Sequence, residues 1–159
     1  MTIHERMMHL ALAEAQKAFD EGEIPVGAVV AQGETVLAAA RNLRQTTGDP
    51  TAHAEVLAIR QAAKLLGRRR LNDCTLYVTL EPCPMCAGAM ILSCLGQCYF
   101  GAADPRQGCV ESVYALPGDP AFFHHVPCTG GLLAEESTRL LQEFFQNKRP
   151  SSPKEFEEC

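Results

Sequence analysis

The chain has 159 residues, 47% hydrophobic and 21% charged, which suits one globular domain with a substantial core. No apolar run is long enough to cross a bilayer and the first residues lack the order of a signal peptide, so we expect a cytoplasmic protein. The net charge of −5 excludes a general attraction to nucleic acid, so RNA contacts need local basic clusters such as Arg68–Arg70 or Lys148 with Arg149.

Eight cysteines are present, a number that in a secreted chain would suggest a disulfide framework. In a reducing compartment, clustered cysteines more often bind a metal or take part in catalysis. Only Cys83 and Cys86 have the spacing of a ligand pair, and Cys159 ends a polar tail as a free thiol. The remaining cysteines fall mostly in apolar stretches and are expected to be small core residues: Cys74, Cys94, Cys98, Cys109 and Cys128.

Apolar spacing and turn residues predict alternating helices and strands. The first helix carries apolar residues from Met7 to Phe19 and ends near Gly22, and a β-hairpin follows around Gly33. The predicted strands and later helices, in chain order, are strands at 26–31 and 35–40, a helix at 52–66, a strand at 74–79, a helix at 84–92, a strand at 97–101, a short helix at 111–115, a strand at 125–128 and a helix at 132–147.

This order of elements predicts an α/β fold in which helices cover both sides of a mixed sheet. The opening hairpin is antiparallel, and the later strand–helix–strand units should be parallel with right-handed crossovers. We expect one domain over residues 1–149, because no repeat or internal linker interrupts the pattern. Residues 150–159 have the composition of a disordered tail.

A Cys-x-x-Cys pair lies where a buried strand is predicted to end and a helix to begin, within the stretch from Thr79 to Met90. Pro84 suits the first helical position, because the N–H that it lacks would have no helical partner there. The N-terminus of a helix stabilises negative charge, so Cys83 and Cys86 can both be thiolates that share one ion.

His53 and Glu55 lie at the start of another predicted helix, two residues apart, which is the wrong spacing for one helical face. Side chains of a first turn slant toward the N-terminus, so both groups can converge on a point beyond the helix end. One histidine and two cysteines supply three zinc ligands, as in catalytic sites whose fourth position holds water with a pKa of about 7. Glu55 is then the group that takes the proton of that water.

Other interpretations of the same residues stay open. Cys83 and Cys86 alone could form a redox pair, and Glu55 alone could be an ordinary acidic partner of a helix dipole. Neither explains why His53, Glu55 and the cysteine pair occur together at two helix starts. A non-catalytic subunit that keeps zinc for folding and helps to hold RNA would need a fourth protein ligand and no carboxylate.

Two further features also have more than one interpretation. His4 and His9 are expected on the surface of the first helix, and His124 with His125 form either a surface pair at a strand start or a second metal pair. The predicted helix ending at Leu92 has more apolar residues than one buried face needs, which fits a central core helix or burial against a partner chain.

The His-x-Glu and Pro-Cys-x-x-Cys motifs resemble those of the zinc-dependent cytidine and purine deaminases. Within that superfamily, the Cys-Ala-Gly-Ala-Met continuation and a Phe-Phe end followed by a basic pair are similar to the bacterial tRNA-specific adenosine deaminases. The resembling stretches reach to about Arg149 and comprise 25–29, Asn42, 49–55, 80–90, 100–102 with Asp104, 131–133 and 144–145.

The resemblance implies a three-layer α/β/α fold with a five-stranded mixed sheet, a homodimer and one Zn²⁺ per subunit. It implies conversion of adenosine to inosine at the wobble position of a tRNA anticodon. Asn42 is expected to hydrogen-bond the flipped base, with Val26 and Ala54 lining its pocket. The residues expected to meet the flanking RNA are Asp104, Phe144, Phe145, Lys148 and Arg149. The same metal motifs would also serve a deaminase of free bases or nucleosides, such as guanine or cytosine.

Overall fold

The computed structural model describes residues 1–147. Its elements in chain order are α1 Ile3–Asp20, β1 Gly27–Gln32, β2 Thr35–Arg41, α2 Arg44–Thr47, α3 Ala54–Leu66, β3 Thr75–Leu80, α4 Pro84–Leu92, β4 Gln97–Ala102, β5 Cys128–Thr129 and α5 Ala134–Asn147. None of these described helices is both long and apolar enough to cross a membrane. Lys148, Arg149, the tail at 150–159 and its Cys159 lie outside the described residues.

The strands form one five-stranded sheet in the order β2-β1-β3-β4-β5. β1 pairs antiparallel with β2 and β3, whereas β3 pairs parallel with β4 and β4 with β5. The parallel β3–β4 pair needs a crossover connection, and α4 supplies it. The mixed sheet of the sequence analysis is therefore confirmed.

Helices cover both faces of the sheet, and the interior strand β1 separates two cores. Ala28 and Val30 pack in the larger core with residues of α3 and α4, whereas Val29 and Ala31 pack in a second core with residues of α1. α5 lies on the α1 side. Because both faces of β1 are covered, its sequence is a continuous apolar run without the alternation of a half-exposed strand.

The loop after β4 differs from its prediction. A short helix was expected at 111–115, but the chain there forms turns. The N–H groups of Val110, Glu111 and Ser112 donate to the buried carboxylate of Glu81. A distant side chain thus orders this segment, and a local helical pattern cannot reveal such a partner.

Two further element boundaries differ because of backbone constraints. β5 covers only two residues, not 125–128, and Pro127, which has no N–H to donate, immediately precedes it. α5 begins two residues later than expected, because Gly131 and Leu133 adopt positive φ angles of 86° and 51°. The short α2 was not predicted at all.

Two of the four remaining histidines are exposed as expected, and the other two are half-buried. His4 is half-buried: its Nδ1 lies 2.8 Å from the Tyr77 hydroxyl, and its ring stacks on Tyr99 with centroids 4.2 Å apart. His9 and His125 are exposed. His124 donates through Nε2 to the carbonyl of Leu95 at 2.8 Å, and within residues 1–147 neither His124 nor His125 joins a metal-ligand cluster.

Candidate active site

The site lies between the N-termini of two helices. α3 begins after His53 and α4 begins after Cys83, and both of these capping residues are extended, with ψ angles of 147° and 176°. The side chain of His53 makes no hydrogen bond to the N–H groups of its own helix. The imidazole and the thiol are therefore available as ligands beyond the helix ends, as the spacing of the motifs predicts.

Three side chains form the only potential metal-ligand cluster within residues 1–147, with ligand atoms all within 4.8 Å of one another. Nδ1 of His53 lies 3.6 Å from the sulfur of Cys83 and 3.6 Å from that of Cys86. Tetrahedral zinc, with bonds of about 2.05 Å to nitrogen and about 2.3 Å to sulfur, would hold these atoms about 3.6 Å apart. The donor set therefore fits Zn²⁺ with one position left for water.

The pKa values of the two thiols shift in opposite directions. The hydrogen bond from Cys86 lowers the pKa of Cys83 to about 4, and the same bond raises the pKa of Cys86. The hydrogen bond to Cys83 also raises the pKa of His53. Zinc requires thiolates and a neutral imidazole, so binding would release these protons.

Glu55 lies in the first turn of α3, beside the three ligands, and its side chain is only 4% exposed. Burial raises the pKa of Glu55 to about 7, and the negative charge of Cys83 acts in the same direction. A carboxyl group with a pKa near neutrality can both take and return a proton, as a general base and acid must.

A second group of residues packs against the start of α3. The side chain of Asn42 accepts a hydrogen bond from the N–H of Ala54 at 2.9 Å and donates one to the carbonyl of Ile24 at 3.2 Å. The N–H of Asn42 donates to the carbonyl of Val26. Val26, Asn42 and Ala54, expected to contact the base, thus lie together next to His53. The Asn42 amide can form further hydrogen bonds, because one lone pair of its oxygen and one hydrogen of its nitrogen are not used by these two bonds.

The model of the cytidine and deoxycytidylate deaminase zinc-binding region matches residues 1–102 of the chain. The chain belongs to this deaminase family. The tRNA-specific adenosine deaminase of Bacillus subtilis is 46% identical over 149 residues, which cover 94% of this chain and 92% of that protein. The protein of the same name from Haemophilus influenzae is 45% identical and covers 91% of this chain and 84% of its own length.

Solved structures show the same fold. One, from work on A-to-I editing by tRNA:A34 deaminases at the wobble position, has a TM-score of 0.83 and 41% identity, covering 86% of this chain and 99% of that chain. A guanine deaminase from Bacillus subtilis has a TM-score of 0.62 and 31% identity, covering 96% and 98%. The three-layer deaminase fold is confirmed, and the chain is a zinc-dependent hydrolytic deaminase.

The outer residues of this deaminase occupy different environments. Asp104 follows β4 and is half-buried, and its carboxylate accepts hydrogen bonds from the N–H groups of Arg106 and Gln107. Phe145 is 40% exposed and lines a groove of about 580 Å³ with Ala102, Ala103, Thr138, Leu141, Gln142 and Gln146. Phe144, expected to meet RNA, is instead 4% exposed and packs edge-on against Phe19. It supports the helix that presents Phe145.

Two buried glutamates of the deaminase were not predicted from the sequence. Glu81 accepts hydrogen bonds from the loop after β4, and Glu23 accepts them from the N–H groups of Gln45 and Thr46 at the start of α2. Their exposures are 2% and 1%. The one available signal was a glutamate that directly follows a buried strand, at Glu81, since an unpaired charge is rarely placed there.

Proposed function

We propose that this deaminase hydrolyses adenosine to inosine at the wobble position of a tRNA anticodon. The observation that carries the proposal is a three-ligand zinc geometry beside the buried Glu55, in a chain that is 46% identical to a tRNA-specific adenosine deaminase over nearly all of its length. Three protein ligands suit a catalytic zinc, whereas a zinc kept only for folding normally has four.

Glu55 carries the proton transfers of the proposed reaction. Bound Zn²⁺, one per subunit and held by His53, Cys83 and Cys86, would lower the pKa of a water to about 7 and supply hydroxide near neutral pH. Glu55 takes the proton of the attacking water and gives it to N1 of adenine, which makes C6 more electrophilic. The hydroxide adds to C6, and Glu55 then takes the remaining proton of the new hydroxyl group and gives it to the departing amine, so that the C6 carbonyl forms and ammonia leaves.

The residues near the start of α3 hold the base in this proposal. Asn42 hydrogen-bonds an edge of the flipped adenine, because its amide is held between Ala54 and Ile24 with part of its capacity unused. Val26 and Ala54 provide small apolar walls. An anticodon loop suits this site, because its bases leave the stack at low cost.

The nucleotides on either side of the reactive adenosine contact residues outside the base pocket. Asp104 and Phe145 meet the RNA next to the reactive adenosine, and Phe145 offers an aromatic face for stacking, with Phe144 packed behind it. Lys148 and Arg149 contact phosphates, which position the RNA without reading its sequence. With a net charge of −5, binding depends on these local contacts and not on a general attraction.

The proposal includes a homodimer in the cytoplasm. Leu92, at the end of α4, is 74% exposed, and the loop residues Tyr114 and Phe123 are 67% and 72% exposed. Apolar side chains of this kind are enriched at interfaces. The free thiols of the seven described cysteines fit a reducing compartment. Light scattering of wild type and Leu92→Glu tests the dimer: we expect a dimer that the variant weakens, and a monomeric wild type would contradict it.

The reaction is tested with an anticodon stem-loop that has adenosine at the wobble position. Inosine and ammonia are measured, and a stem-loop with guanosine at that position and the free bases guanine and cytosine serve as controls. We expect inosine from the first substrate alone. Because a guanine deaminase shares 31% identity with the chain, ammonia from free guanine alone would replace the proposal by a free-base deaminase.

Metal analysis of the same preparation tests the zinc site. We expect one zinc per chain. A metal-free protein with a disulfide between Cys83 and Cys86 would support a redox protein, and a fourth protein ligand on the metal would support a non-catalytic subunit.

A further inference from the structure

The carboxylate of Glu81 is almost completely surrounded by donors of one loop, here named the 104–112 loop. Four backbone N–H groups and one hydroxyl donate to this single side chain, which is 2% exposed. The donors are the N–H groups of Asp104 at 3.0 Å, Val110 at 3.2 Å, Glu111 at 2.8 Å and Ser112 at 2.9 Å, and the hydroxyl of Ser112.

Gly108 shows that the loop is shaped around this carboxylate. A Cβ at Gly108 would overlap all three atoms of the carboxyl group of Glu81. The φ of Gly108 is not among the positive values, so space and not backbone conformation requires glycine there. The contact between the loop and the strand end thus depends on two residues: Glu81, which supplies the carboxylate, and Gly108, which has no side chain to occupy the same space.

Glu81 connects the metal site with the outer substrate residues. It lies between the end of β3 and the zinc ligand Cys83, and one of its oxygens holds the N–H of Asp104. The neighbouring backbone adds two bonds, from the N–H of Glu81 to the carbonyl of Ala102 and from the N–H of Cys109 to the carbonyl of Pro82.

We propose that Glu81 is a positioning residue that fixes the 104–112 loop relative to Cys83, so that Asp104 reaches the nucleotides flanking the reactive base. The proposal rests on the proposed function for its RNA substrate. It assigns Glu81 no contact with the reacting atoms. Loss of its charge should therefore weaken productive binding of RNA and leave the chemical step nearly intact.

The first test is the kinetics of Glu81→Gln on the wobble-adenosine stem-loop. The glutamine amide keeps the size of the side chain but places a donor against the loop N–H groups. We expect KM to rise by about tenfold, kcat to stay within about threefold, and zinc content to stay at the wild-type level. The control is Asp73→Asn at the other end of β3, whose carboxylate bonds Arg68 and Gln32 and should leave KM unchanged.

Gly108→Ala tests the same contact from the loop side and keeps the charge of Glu81. The added Cβ displaces the loop, so the same rise in KM is expected, and the double variant should show less than the product of the two effects. Should Glu81→Gln fail to fold, Gly108→Ala still decides the question.

Two results would overturn the positioning role. Folded variants with a lower Tm but wild-type KM would show that Glu81 only stabilises the fold. A fall in kcat together with loss of zinc would show that it acts through Cys83. A wild-type enzyme that does not deaminate the stem-loop contradicts the proposed function and with it the RNA contact, whereas an active wild type with unchanged variants contradicts the positioning role alone.

Discussion

Glu55 and Glu81 are two buried glutamates close to Cys83, the first in space and the second in the chain, and they are 4% and 2% exposed. Their pKa values nevertheless lie on opposite sides of the ordinary value, at about 7 for Glu55 and about 2 for Glu81. Burial raises both values. The difference arises because Glu81 accepts hydrogen bonds from the hydroxyl of Ser112 and from loop N–H groups, whereas Glu55 lies beside the negative charge of Cys83.

The comparison shows that the donors around a buried carboxylate decide what it can do. A group with few donors exchanges a proton near neutral pH and serves catalysis, while a group surrounded by N–H donors stays charged and holds backbone in place. Glu23 also holds backbone in place, because it is 1% exposed and accepts hydrogen bonds from the N–H groups of Gln45 and Thr46. Two buried glutamates thus hold backbone segments, Glu23 the start of α2 and Glu81 the 104–112 loop.

Removal of zinc should show the largest difference between the roles of Glu55 and Glu81. A strong chelator should abolish inosine formation, because hydroxide is then no longer available near neutral pH, and added Zn²⁺ should restore it. The amides of Val110, Glu111 and Ser112 should stay protected from hydrogen exchange, because their bonds to Glu81 involve no metal. Activity without metal, or loss of this protection together with the metal, would break the comparison.

Glu55→Gln should give the next largest effect. The amide cannot carry the proton from water to the base, so kcat should fall by about 10²–10⁴-fold, with Glu55→Ala at least as slow. Zinc content should not change, since Glu55 is not one of the three proposed ligands, His53, Cys83 and Cys86. Single-turnover measurements at saturating stem-loop, with metal analysis of each variant, check this. Near-normal turnover in either variant would remove Glu55 from its assigned role.

The two glutamates also differ in how far the sequence could predict them. His53, Glu55, Cys83 and Cys86 are recognisable because helix starts and ligand spacing are local, and the helix starts lie within two residues of their predicted positions. The role of Glu81 depends on amides up to 31 positions away in the chain, which no local pattern contains. The helix expected at 111–115 was wrong for the same reason.

Burial of single aromatic and imidazole groups was equally hard to predict. Phe144 and Phe145 are identical neighbours in the sequence, and only the packing of α5 against Phe19 decides that the first is buried and the second exposed. His4 looked like a surface residue of α1, but Tyr77 and Tyr99 on neighbouring strands surround its ring. Tertiary neighbours, and not helical spacing, set these environments.

Acid titration should reveal the lowered pKa of Glu81 through a smaller effect, a loss of folding stability at low pH. The pKa of Glu81 is lower in the folded chain, about 2 against an ordinary 4.5, so its stabilising contribution is present above about pH 4.5 and is lost as the pH falls toward 2. Wild type should therefore lose on the order of 2 kcal/mol more than Glu81→Gln between pH 6 and about pH 3. Urea unfolding of both proteins checks this. Parallel curves would mean that Glu81 has no lowered pKa.

Ser112→Ala should have the smallest effect, because it removes one donor from Glu81 and leaves four backbone N–H groups. We expect a loss of about 1 kcal/mol in the free energy of unfolding at pH 7 and a small upward move of the acid transition. Ser93→Ala, which removes a hydroxyl bond to the neutral carbonyl of Met90, is the matched control and should leave the acid transition in place. The contrary result is that Ser112→Ala loses as much free energy of unfolding and moves the acid transition as far as Glu81→Gln. The Ser112 hydroxyl alone would then account for the lowered pKa of Glu81. The difference in pKa between Glu81 and Glu55 would in that case depend on this one side chain and not on the backbone N–H groups of the loop.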